Sequence, residues 1–379
     1  MWQNPPSSMK IPLLHRSRTV SGASTFDPRK PFNALPHLPP KYDFDQVALL
    51  KQVNLSNIAL SKLDALATKL PNLFLLMHPL LVRESVASAG IENINTTVRE
   101  VFEAEVLPEK QQKGPAKEVL HYREAMLKGL EYVAKGRLSA HHILEIQKLI
   151  EPKKEGLREK GVHLWNENTK EVFYTPPEGK TATLLLANLE KYINEDWEDV
   201  DPLIKMAVVH YQFESIHPFL DGNGRVGRIL MILYLILKRR VRAPVLFLSG
   251  YIERHKNEYY RLFRQTTKTQ DFGPFVLFML KGVEEQAAET ANTVSNIEAL
   301  MQKTEQALKK KFPNAHDLIL CMFSRPLLTI DFVQESLGLS ARQTASKYLL
   351  TLAKMGMLQE KKEGRQKVFY STEFLKALS

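Results

Sequence analysis

The nine residues His217-Pro218-Phe219-Leu220-Asp221-Gly222-Asn223-Gly224-Arg225 lie between two stretches of helical pattern, Asp201 to Tyr211 and Val226 to Arg240. A loop with two glycines one residue apart, running straight into a long helix, wraps backbone N–H groups around an anion at the positive end of the helix dipole. Arg225 and Arg228, three apart in the first helical turn, are expected to leave one face and set two cations above that seat. Asp221 offers a hard oxygen ligand suited to a Mg2+ ion that also touches phosphate oxygens. His217 is the group of the loop that titrates near neutrality, which makes it the candidate general base. Taken singly, each feature has a structural explanation: a tight turn, a helix cap, solvent-facing arginines, an ordinary loop histidine. Together, within twelve residues, they predict a site that handles a triphosphate.

The helix after the loop holds the longest apolar run, the nine residues Ile229 to Leu237. That is far short of the roughly 20 residues a membrane span needs, so a buried helix is expected and no membrane partner. Three- and four-residue spacing of apolar positions recurs at Val47, Leu50 and Val53, at Leu60, Leu63 and Leu66, and at Val98, Val101 and Phe102. Further helices are predicted from Glu118 to Ala134, from Ser139 to Ile150 and from Glu285 to Lys310. Between Gly156 and Pro177 the pattern alternates instead, Val162 and Leu164 against Val172 and Tyr174 around residues 166–168, as in a short hairpin. The fold class is therefore mainly α with a small hairpin. Residues 1–40, holding eight of the 21 prolines, are expected to be flexible and outside the core. A polar break runs from Pro108 to Pro115. The single cysteine, Cys321, excludes an internal disulfide and any cysteine-rich zinc site, which fits a cytoplasmic protein. The net charge of +10 sits at the ends: residues 1–40 carry five basic against one acidic residue, and residues 301–379 thirteen against seven. Any nucleic-acid contact is thus confined to those ends.

The string His217 to Arg228 resembles the signature of the Fic family, His-x-Phe-x-Asp/Glu-Gly-Asn-Gly-Arg-x-x-Arg, at every fixed position. The resemblance extends over most of residues 38–290, including Gly156-Leu157-Arg158 before the hairpin. It implies a Fic helical bundle and a protein adenylyltransferase that moves AMP from ATP to a Tyr, Thr or Ser hydroxyl of a target protein. It implies His217 as the base, Asp221 as the Mg2+ ligand, and Gly222, Asn223, Gly224, Arg225 and Arg228 as the phosphate-binding set. The hairpin resembles the family's flap, with Val162, His163, Leu164 and Trp165 as the edge that holds the target segment by strand pairing. Tyr259-Tyr260 resembles a pair lining the adenine pocket, although two aromatics on a helix also serve as core. Ser88-Ala89-Gly90-Ile91-Glu92-Asn93 resembles the family's inhibitory motif, which would bring Glu92 to Arg228 in competition with the γ-phosphate.

The last residues, 300–379, read as helix, helix-turn-helix and two strands, similar to a winged helix, with Ser340 as the expected cap of its second helix. Arg342, Gln343, Thr344 and Lys347 on that helix, and Lys361, Lys362, Arg365 and Lys367 on the wing, are what DNA contact requires, while many such domains bind protein. The resulting organisation is a Pro-rich segment at 1–40, an inhibitory helical region at 41–135, a catalytic core at 136–295 and the winged helix at 300–379. The alternative is a DNA-binding regulator that senses nucleotide through Arg228. A phosphotransferase of the related Doc type would carry lysine at the second glycine, and Gly224 argues against it. Gly179-Lys180-Thr181 imitates the end of a P-loop, but Tyr174 stands where its first glycine is required, so it reads as a helix start. Homodimer formation is left open.

Overall fold

The computed structural model describes residues 26–69, 73–106, 113–165, 169–195, 200–309, 311–312, 314–363 and 366–378. Residues 1–25 of the expected flexible segment, 107–112 of the polar break, the hairpin turn at 166–168 and the wing turn at 364–365, Arg365 included, lie outside them.

In chain order the elements are α1 (Val47–Lys69), α2 (Leu73–Ile91), α3 (Val98–Glu105), α4 (Pro115–Val133), α5 (Ala140–Ile150), β1 (Leu164–Trp165), β2 (Val172–Tyr174), α6 (Gly179–Asn194), α7 (Pro202–Ile216), α8 (Asn223–Leu237), α9 (Ser249–Arg254), α10 (Lys256–Thr269) and α11 (Gly273–Leu308). A C-terminal unit follows, with α12 (Ala315–Ser324), β3 (Leu327–Thr329), α13 (Ile330–Ser336), α14 (Arg342–Lys354), β4 (Gln359–Glu363), β5 (Gln366–Tyr370) and α15 (Thr372–Leu378). The protein is mainly helical, as its pattern predicts.

At the centre stands α8. Every residue from Arg225 to Leu235 is buried, because α2, α4, α5 and α7 surround the helix. An all-round apolar sequence of this length has no other stable place in water. The partner helix α7 starts where the Asp201 carboxylate accepts the Leu203 N–H at 2.8 Å with Pro202 in the first turn, a cap that leaves its far end to deliver the His217 loop. β1 and β2 pair antiparallel with Leu164 opposite Tyr174, which confirms the hairpin.

Several expectations are corrected. Residues 26–40 are not outside the core: Leu35 and Leu38 are 3% and 5% exposed. The Phe32 N–H bonds the Thr175 carbonyl, and the Leu38 N–H bonds Asn188 Oδ1 at 2.7 Å. On α1, Val47 and Leu50 are exposed by 67% and 46%. The buried stripe is Leu49, Val53, Ser56, Leu60, Leu63 and Ala67 against α11, and a serine at its centre hides it from an apolar pattern. Ser56 is at home there because its hydroxyl donates to the Leu280 carbonyl at 2.8 Å. α11 begins at Gly273, well ahead of Glu285.

In the C-terminal unit the three strands form an antiparallel sheet in the order β3-β5-β4, and β3 was not expected. Ala341, not Ser340, is the N-cap of α14. The unit rests on the N-terminal helices: α12 and α15 pack on α2, Lys361 Nζ lies 3.1 Å from Glu103 Oε1 on α3, and the Arg99 guanidinium stacks over the Tyr370 ring at 5.0 Å. Lys361 is thus tied inward rather than loaded on a free wing.

Candidate active site

α7 ends because His217 adopts a left-handed conformation (φ 47°, ψ 60°) while its N–H still bonds the Phe213 carbonyl at 2.9 Å. Such a backbone costs a residue other than glycine about 1 kcal/mol and persists only where surrounding bonds impose it. Arg158 imposes it. Its Nε donates to the His217 carbonyl at 2.7 Å, its Nη2 donates to the Pro177 carbonyl, and its backbone N–H bonds the Pro218 carbonyl at 2.9 Å. Asn223 pins the same loop from within: Phe219 N–H donates to Oδ1, and Nδ2 donates to the Phe219 carbonyl, both at 2.9 Å. The Asn223 side chain is therefore spent on shaping the loop, which leaves its backbone N–H for an anion.

Gly222 takes the left-handed region (φ 82°) as the N-cap of α8, with no side-chain cap on the helix. The first N–H groups of α8 are left facing the cleft, the condition for an anion seat. The Glu92 carboxylate lies beside it, bonded to Arg228. A Cβ on Gly224 would lie 2.2 Å from Glu92 Oε1, so only glycine admits Glu92 so close to the helix start.

Glu92 follows α2 directly. Its Oε1 accepts from Arg228 Nη2 at 2.9 Å, while Arg228 Nε donates to Ser88 Oγ at 2.7 Å and Nη2 to the Ser88 carbonyl at 3.0 Å. Glu92 thus meets Arg228, and Ser88, for which no contact with Arg228 was expected, meets it as well. Burial pushes the Glu92 carboxyl up, but Arg228 outweighs it and holds the group below the ordinary glutamate value. Arg228, itself buried, is in turn held charged by Glu92.

Arg225 parts from Arg228 instead of sharing its face. Its Nη2 lies 2.6 Å from Glu151 Oε1 and 3.5 Å from Asp221 Oδ1. Asp221 also receives the Lys154 ammonium and the Gly222 N–H. Burial pushes its carboxyl up, yet Lys154 and Gly222 win and keep it below the usual aspartate range. A single half-exposed carboxylate that already holds a cation suits a hard metal whose other ligands come from phosphate. Among the described residues no three acidic, histidine or cysteine side chains gather into a metal cage.

His217 opens onto a cleft of about 550 Å3 that Glu92, Gly224, Arg228, Tyr259 and Trp165 also line. Burial, and then the nearby Arg158, push its pKa down to about 4, so the imidazole is neutral and ready to accept a proton at physiological pH. The Tyr259 ring faces the cleft, but its hydroxyl lies 2.9 Å from His210 Nε2, a histidine that burial and Arg228 push down to about 3. The ring, not the hydroxyl, is available to a base. Glu214, one turn before His217, also lines the cleft; burial pushes it up to about 8. On the flap, Leu164 and Val162 are half-buried, His163 bonds Thr175 at 2.7 Å, and Trp165 is 56% exposed. β1 pairs only with β2 among the described residues, which leaves its other edge open.

Sequence reasoning missed Glu151, Lys154 and Tyr122 altogether, and gave Arg158 no role. Each lies dozens of residues from the partner it serves, so no local spacing announces it.

Three family profiles match the chain: Fic/DOC family N-terminal at residues 50–131, Fic/DOC family at 137–235, and Protein adenylyltransferase SoFic-like, C-terminal domain, at 300–374. The chain is similar to the protein adenylyltransferases Fic of Drosophila yakuba and Drosophila ananassae, each 33% identical over 107 residues, which is 28% of this chain and 20% of each relative. The chain thus matches about a fifth of the length of these relatives. A solved Fic family protein from Desulfovibrio desulfuricans G20 shares the fold, at a TM-score of 0.55 and 22% identity, over 88% of this chain and 98% of that one. Three consecutive profile matches and a complete signature loop at the start of α8 agree: the chain belongs to the Fic/DOC family.

Proposed function

We propose that this chain is a protein adenylyltransferase, transferring AMP from ATP to a Tyr, Thr or Ser hydroxyl of target proteins and of itself, and that Glu92 holds it inactive. One observation carries the reading: a carboxylate sits beside the anion seat at the start of α8, bonded to Arg228, in a cleft whose wall is a neutral histidine. The seat accepts a negative oxygen, and an outer phosphate is the natural rival of that carboxylate. The names of the relatives supply the reaction class.

His217 takes the proton of the incoming hydroxyl as its oxygen attacks the α-phosphorus. The bond from the α-phosphorus to the bridging oxygen breaks, and pyrophosphate leaves. Backbone N–H groups of Asn223 and Gly224 hold the phosphates, joined by that of Gly222 once it leaves Asp221, Arg225 lends charge from its station beside Asp221, and Arg228 takes the outer phosphate once Glu92 withdraws. Asp221 would hold Mg2+, which neutralises phosphate charge when bound. The Tyr259 ring packs on the adenine, and the open edge of Val162 to Trp165 receives the target segment by strand pairing. Residues 41–135 then serve as the brake, 136–295 as the core and 300–379 as a winged-helix appendage. The single, buried Cys321 is compatible with the cytoplasmic location proposed here. No helix among the described residues is long and apolar enough to cross a membrane.

Intact mass spectrometry with MgATP tests the reaction: one AMP-sized addition to the chain or to a target supports it, and nucleotide bound without covalent addition overturns it in favour of a sensor. Duplex DNA contact has less support, since Arg342, Lys361 and Lys367 pair with Asp331, Glu103 and Glu360.

Two outcomes follow from the site. Asp221→Ala should abolish the Mg2+-dependent part of ATP affinity measured by calorimetry, and unchanged affinity would remove the metal role. The acid limb of kcat/KM should fall near pH 4 rather than near the ordinary histidine value of about 6.5, because the protonated ring cannot act as base. The pH profile of the Glu92→Gly protein, free of the brake's own titration, measures it, with the limb lower still because Glu92 no longer raises the ring's pKa.

A further inference from the structure

Beneath the brake lies a buried polar chain that the signature loop does not contain. Arg228 Nε donates to Ser88 Oγ at 2.7 Å, and the Ser88 hydroxyl is hydrogen-bonded to Tyr122 on α4. Tyr122 Oη donates to Glu84 Oε1 at 3.1 Å. Glu84 also receives the Ser249 hydroxyl, and the Ser249 N–H at 3.3 Å. Glu84, Ser88 and Glu92 are spaced four apart, so they follow one side of α2 toward Arg228. The Arg228 and Tyr122 donors both point from the guanidinium toward Glu84, which is 3% exposed.

We propose that Glu84 is a positioning residue for Arg228: it ends a hydrogen-bond chain through Tyr122 and Ser88 that aims the guanidinium at the anion seat whether Glu92 or a nucleotide phosphate is its partner. The inference rests on the reading of Arg228 as the cation for the outer phosphate. Glu92 and the Ser88 carbonyl share one nitrogen, Nη2, whereas the Ser88 hydroxyl, through which the chain runs, holds Nε, so the two side-chain grips fall on different nitrogens. When Glu92 leaves, the chain is what keeps a long side chain from losing its orientation. A carboxylate is suited to the end position because three donors converge there and it accepts all three. Glutamine at 84 has one acceptor oxygen and two N–H donors, so Tyr122 or Ser249 would face a donor, and the chain would have to reverse. Burial pushes the Glu84 carboxyl up to about 7, although Ser249, Arg228 and Tyr122 pull it down, so the carboxylate that accepts all three donors is the form that prevails above neutral pH, where binding is to be measured.

The test uses the full chain carrying Glu92→Gly and His217→Ala, which binds ATP without a brake and without turnover. Glu84→Gln in that background should weaken the calorimetric Kd for MgATP about tenfold. Adding Arg228→Ala should erase that difference, since the chain then ends on nothing. Affinity unchanged by Glu84→Gln, or the same loss with Arg228→Ala present, overturns the proposal. Should the glutamine protein melt before binding is measured, Tyr122→Phe cuts the same chain at nearly constant volume; it should weaken Kd several-fold, and unchanged Kd overturns the proposal equally. Failure of the transfer reading shows separately, as absence of AMP addition in the Glu92→Gly protein with His217 intact.

Discussion

Alanine in place of His217 is expected to lower AMP transfer by about 10²–10⁴-fold while ATP affinity stays within about twofold, because the imidazole acts on the incoming hydroxyl and not on the nucleotide. The structure sharpens the expectation. The ring is kept neutral by burial, and the backbone carrying it is fixed by Arg158 and Asn223, so the base is both deprotonated and aimed before substrate arrives. Labelling with radioactive ATP compares the two proteins, and calorimetry checks that the alanine variant still binds. Asparagine at 217 should fare no better, since it offers hydrogen bonds but no proton acceptor of useful basicity. Retained labelling by the alanine protein would move the base to another group of the cleft, with Glu214, a carboxyl that also lines it, the one to examine.

Glu92→Gly is expected to raise self-labelling and target labelling by about ten- to a hundredfold. A hydrogen-bonded charge pair contributes about 1.5–3 kcal/mol, and that is the advantage the γ-phosphate gains when the carboxylate is gone. Position 92 lies one residue beyond the end of α2, with Asn93 in the left-handed conformation (φ 60°) that commonly closes a helix, so glycine there does not weaken the helix interior. Glu92→Gln separates charge from shape and should activate partly. Arg228→Ala added to Glu92→Gly should remove most of the gain. Equal labelling rates for wild type and Glu92→Gly, with His217 still required, would make Glu92 an ordinary residue of the turn.

The sequence shows the centre of the site far better than its support. The run from His217 to Arg228 is contiguous, and its glycines, acid and arginines announce an anion seat by spacing alone. The pairing of Glu92 with Arg228 spans 136 residues and was reached through a motif, not through periodicity. Arg158, Glu151, Lys154 and Glu84 have no such motif, since their meaning comes only from tertiary neighbours. The same limit explains α1, where Ser56 breaks an apolar stripe that its bond to Leu280 makes sound. It also explains residues 26–40, whose prolines suggest a loose tail although Leu35 and Leu38 anchor it. Arg225 shows the converse error: helical spacing puts it beside Arg228, but Glu151 draws it elsewhere.

The fit of Glu92 over Gly224 also constrains how such a chain can change by descent. A side chain at 224 and this carboxylate claim the same space, with 2.2 Å between them. A lineage that gains any larger residue at 224 must lose its glutamate at 92 or turn that side chain off Arg228. The constraint runs one way: position 224 is held to glycine while Glu92 keeps its place on Arg228, whereas position 92 changes freely with Gly224 kept.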